Sequence, residues 1–179
     1  GAAQHPPRPR VEGAVKAARR TAPAPVTREQ VIAAAVVARS AAVEALRAVH
    51  LTDAADALEA DSPNAGPAAD RAVLAAQSAL RGSMSTYGDD YRARWHAADD
   101  RDDRDDVRHQ LHKEMARAVA LCLPLVRRFE AVRSALSSLA GVQSILRDPP
   151  SEHSAHWYSV ALGYAESARE SARHAAGLP

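Results

Sequence analysis

The chain has 179 residues, 46% of them hydrophobic but only 4% aromatic, with 23 Lys and Arg against 22 Asp and Glu and a formal net charge of +1. One domain of ordinary size with a real core is expected, its apolar content carried by Ala, Val and Leu, residues that favour helix over strand as a set. Near-neutral charge leaves no global field to draw the molecule onto nucleic acid or an anionic membrane, and the longest uncharged apolar run, residues 118–126, is far below the ~20 residues of a membrane-spanning helix.

Residues 1–25 contain Pro6, Pro7, Pro9, Pro23 and Pro25, a composition expected to form a flexible Pro/Arg-rich basic arm rather than part of the core. Arg8, Arg10, Lys16, Arg19 and Arg20 face only Glu12 there. Without interleaved aromatics these five cations give a weak electrostatic footprint for nucleic acid. Residues 26–179 are read as a single helical-bundle domain. Thr27-Arg-Glu-Gln30 is a capping box that opens the first helix. Val31, Ala35, Ala38, Ala42, Ala45 and Val49 then recur at alternating steps of four and three, the spacing of one buried stripe.

A short helix over residues 52–59 follows, then a turn in the Pro- and Gly-containing stretch 61–67. The third helix is expected to begin near Ala68, with the stripe Val73, Gln77, Leu80, Met84, Tyr87 and Tyr91, and to break or bend near Gly88 because Gly costs ~1 kcal/mol against Ala in a helix interior. The longest pattern is Val107, Leu111, Met115, Ala118, Cys122, Leu125, Phe129, Val132, Leu136 and Leu139, a coiled-coil-like seam. One helix over residues 101–146, kinked rather than divided at Pro124, keeps that register. The lone Cys122, lying inside it, excludes an intrachain disulfide and is expected to be a buried thiol in a reducing, cytoplasmic setting. After Asp148-Pro-Pro, Ser151 is expected to cap a last helix with the stripe Trp157, Ala161, Tyr164, Ala168 and Ala172. The fold class is therefore all-α, a four- to five-helix antiparallel bundle of long, Ala-rich, heptad-patterned helices.

Three patterns carry candidate chemistry. The run Asp99-Asp-Arg-Asp-Asp-Arg-Asp-Asp106 twice repeats the aspartate spacing with which polyprenyl synthases hold Mg²⁺, but without a second such motif it reads as a solvated helix start. His109 with His112, and His153 with His156, are pairs at helical spacing; they open two different helices, and no metal or other cofactor is assigned. Tyr87, Tyr91 and Trp95 form one stripe, and with His156 and Trp157 they would line an amphipathic ligand pocket if the two segments touch.

Arg147 and His153 flank Asp-Pro-Pro-Ser-Glu, which resembles the motif of HEPN-family nucleases, an arginine followed four to six residues later by a histidine. That resemblance implies RNA cleavage by a dimer, with Arg147 stabilising developing charge and His153 moving a proton. The leading expectation asks only for what the heptads supply. It is a non-enzymatic interaction or regulatory module acting through a homodimer or a helical protein partner, with the HEPN-like ribonuclease and the ligand- or metal-binding bundle as alternatives.

Overall fold

The structure, a computed structural model, describes residues 23–148 and 154–178. The Ser151 cap, His153 and most of the basic arm lie outside these residues. Five helices, α1 (Arg28–Ala48), α2 (Thr52–Glu59), α3 (Ala65–Ala97), α4 (Arg104–Arg147) and α5 (Ser154–Ala175), make up the fold, with no strand among the described residues. The capping box opens α1 as expected: Gln30 N–H donates to Thr27 Oγ1 (3.2 Å), and Thr27 N–H donates to Gln30 Oε1 (2.9 Å).

Three helices end in the same way. After α1, His50 takes a left-handed backbone (φ 63°), its N–H donates to Arg47 O (3.0 Å), and Leu51 N–H donates to Leu46 O (2.9 Å). Asp61 (φ 52°) does this after α2 and Gly177 (φ 75°) after α5, so otherwise orphaned carbonyls of the last turn are satisfied.

The third helix begins three residues earlier than the sequence suggests. Pro67 sits in its first turn, where the missing N–H is not needed. The expected break at Gly88 does not occur. The helix runs through Gly82 and Gly88 into Ala97, because α4 packs alongside and outweighs the propensity cost of the two glycines. The fourth helix is likewise continuous across Pro124, and its 44 residues span ~66 Å at 1.5 Å per residue.

Helices α1, α4 and α5 pack on one another, α4 also packs on α3, and α2 bridges α1 to α3. The side of α5 that enters the core is all alanine (Ala161, Ala165, Ala168, Ala172 and Ala175), which lets its neighbours approach closely. The buried stripe therefore differs from expectation: Ala165 lies inside, while Trp157 and Tyr164 remain 37% and 44% exposed. Tyr164 lies over Gly141, where an added Cβ would stand 3.2 Å from its Cδ2.

The core is confined to one end of the molecule. Every member of the main buried cluster lies within residues 31–73 or 129–175. Gly177, just beyond α5, reaches α4 at Arg128, so residues 81–97 of α3 and 104–124 of α4 extend past the body as an antiparallel helix pair. This stalk is ~30 Å long.

Candidate interaction site

The free end of the stalk is held by an aromatic and ionic cluster. Tyr91 and Trp95, one turn apart on α3, have ring centroids 5.8 Å apart, and His112 of α4 lies 5.8 Å from Trp95. Tyr91 Oη and His112 Nδ1 share a hydrogen bond of 3.1 Å. The Arg108 guanidinium covers the indole at 4.7 Å and pairs with Asp99. Its Nε is buried without a hydrogen-bond partner, as the stacked position dictates. Arg94 joins Glu114 across the pair at 3.0 Å. Such ring pairs contribute about 0.5–1.5 kcal/mol each, and an exposed cation–π contact about 0.5–1 kcal/mol, so the cluster fixes the register of the tip.

Half of the aspartate run, Asp99, Asp103 and Asp105, is paired with the chain's own arginines. Arg101 forks onto Asp103 with contacts of 2.8 and 2.9 Å. The side-chain hydrogen bond holds the Asp103 carboxyl below its ordinary range and raises the Arg101 guanidinium. Arg104 lies 3.5 Å from Asp105, and His96 lies 3.7 Å from Asp99. No group of three or more metal-ligating side chains occurs among the described residues, and no helix there is long and apolar enough to cross a membrane.

The aromatic pocket expected from the sequence divides in two. Tyr87, Tyr91 and Trp95 share the stalk, whereas His156 and Trp157 meet edge to face (centroids 5.7 Å apart) at the start of α5. Because α5 runs antiparallel to α4, those rings lie level with the far end of α4, about 50 Å from Trp95 along that helix. A pocket joining the two groups requires α4 to fold back at Pro124, and it does not. Arg147 is exposed in the last turn of α4, at the rim of a groove of about 650 Å³ between α1 and α4 that contains Ile32, Val36, Leu136 and Leu139. Its proposed partner His153 lies outside the described residues.

Comparison with known protein families, curated proteins and solved structures finds no match. The local chemistry of the stalk therefore carries the functional argument.

Within the stalk only Ala98 and Leu111 are buried apolar residues, with Gln77 buried just below its root. Leu121 is 78% exposed, Leu123 44% and Val119 37%. Cys122 is half-buried rather than enclosed as expected, because it sits on a helix pair that lacks a third helix. Arg81, Arg117, Arg127 and Arg128 surround this apolar stretch and form no ion pair among the described residues. The heptads did not single out Val119, Leu121 and Leu123, which stand off the seam. The signal that marks them is the nine-residue run 118–126, uncharged all round where one stripe would suffice.

Proposed function

We propose that this chain is a non-enzymatic association module whose working surface is the α3/α4 stalk. The observation that carries the reading is the contrast in packing along one helix. From Phe129 to Ile145, α4 contributes seven buried residues to the core; over its first 25 residues it buries Leu111 alone, while Val119, Leu121 and Leu123 face solvent. A helix pair can enclose only one stripe on each member; Val119 and Leu123 stand on one flank of that stripe and Leu121 on the other, and apolar side chains left exposed beside a helical seam are characteristic of docking surfaces. The aromatic and ionic cluster supports the same reading, since it fixes the pair's register and presents a preorganised surface. The lone thiol, with no second cysteine in the chain, supports a reducing cytoplasmic setting.

The double variant Val119→Asp/Leu123→Asp tests this in dilute protein. Both positions are solvent-facing, so the melting temperature is expected to stay within about 2 °C of the parent. A loss of more than about 3 kcal/mol, the scale of a buried unpaired charge, would mean that the two side chains support the fold itself and would overturn the reading.

A further inference from the structure

The charge of the stalk is divided along its length. The root of the stalk with the adjoining edge of the body, residues 71–88 of α3 and 115–129 of α4, holds five arginines, of which Arg81 and Arg117 lie in the stalk itself, and no carboxylate. Residues 89–114, which form the tip, hold nine carboxylates against six Lys and Arg. Among the described residues, Asp100, Asp102 and Asp106 of that tip form no ion pair, and neither do Arg81, Arg117, Arg127 and Arg128 at the root. The unpaired carboxylates lie from about 16 Å (Asp106 to Arg117) to more than ~30 Å along the stalk from the unpaired arginines, two or more Debye lengths at physiological salt, so neither set neutralises the other within one chain.

We infer that the stalk's partner is a second copy of the same stalk, packed antiparallel about a two-fold axis so that each acidic tip lies on the other copy's basic root. This rests on the reading of the stalk as a docking surface. Two features fit one occupant. Two helices from each copy complete a four-helix arrangement, supplying the third and fourth helices that the stalk lacks. An antiparallel two-fold satisfies both charge junctions at once, whereas a parallel pair sets carboxylates on carboxylates and arginines on arginines. A face ~30 Å long and two helices wide buries on the order of 600 Å² per copy, at the lower edge of what specific dimers bury.

The test uses the full chain. Sedimentation equilibrium is expected to show a monomer–dimer equilibrium whose dissociation constant rises about tenfold between low and high salt. Asp102→Arg/Asp106→Arg weakens association, as does Arg117→Glu/Arg127→Glu, and mixing the two variants restores it. Spin labels on Asp102→Cys and Arg127→Cys, in separate copies that also carry Cys122→Ser, give the orientation. The tip-to-root distance is expected to be shorter than the distance between two tip labels. A dimer that tightens with salt, or one with the tip labels closer together, overturns the inference. A monomer at every concentration overturns it too, and leaves the docking surface standing for a different partner if the Val119/Leu123 variant keeps its stability.

Discussion

Replacing His50 by glycine should stabilise the protein. His50 holds the left-handed position after α1 at φ 63°, in a helix end closed by the Leu51 N–H to Leu46 O bond of 2.9 Å. A side chain with a Cβ costs about 1–2 kcal/mol in that conformation, and glycine gives back about 0.5–1 kcal/mol through its freer unfolded chain. The His50 side chain is exposed and makes no hydrogen bond, so nothing else is lost. The net gain is about 0.5–1 kcal/mol, or a rise of about 1–4 °C in melting temperature for a chain of this size. Asp61→Gly is the internal control. It relieves the same strain at φ 52° but removes the 2.8 Å pair with Arg39, so its net effect should lie near zero. Thermal melts followed by circular dichroism measure all three proteins together. A melting temperature that falls in His50→Gly while Asp61→Gly rises would refute the assignment of strain to these helix ends.

Gly177→Ala, at the same position after α5, should cost about 1 kcal/mol, since the new Cβ meets only the movable end of Arg128 at 3.4 Å and the penalty is conformational. Thr27→Ala removes one half of the capping box and should cost about 1 kcal/mol by urea denaturation. Pro124→Ala restores a backbone donor inside α4 and should stabilise by about 1–3 kcal/mol, with slower amide exchange in the adjoining turn. Arg101→Ala should return the Asp103 titration to the ordinary carboxylate range in an NMR pH series. With the folded value depressed, any stability the pair supplies is present above the unfolded value and lost as pH falls below about 4. Both groups are fully exposed, so the neutral-pH melting temperature should not move.

The seam of α4 was legible because burial follows the four-three alternation regardless of which neighbour supplies it. Leu111, Phe129, Val132, Leu136 and Leu139 all face inward, although Leu111 packs in a two-helix stalk and the others in the body. The capping box and the 52–59 helix were legible because their determinants are local. Periodicity could not say how many helices cover a given turn. That number separates half-buried Cys122 from buried Val132, and in α5 the stripe itself was misplaced, since Ala165 rather than Trp157 or Tyr164 lies inside with Ala161, Ala168 and Ala172. The ligand pocket failed for a related reason: it required two segments to meet, and a helix that runs on through Pro124 keeps them at opposite ends. The tip cluster lay between these cases, since Trp95 was visible as a stripe residue but Arg108 and His112 became its partners only through the antiparallel register set by the short α3–α4 connection.

Amide hydrogen exchange of the full chain, read by mass spectrometry from dilute to concentrated solution, tests most directly whether the stalk is a surface awaiting a partner. In dilute solution, amides of residues 81–97 and 104–124 should exchange at least about 30-fold faster than those of residues 129–147, a difference of about 2 kcal/mol in opening free energy. They should slow as the protein is concentrated, while the body stays constant. Equal protection of stalk and body at the lowest concentration would contradict the account, because it would show a helix pair complete on its own.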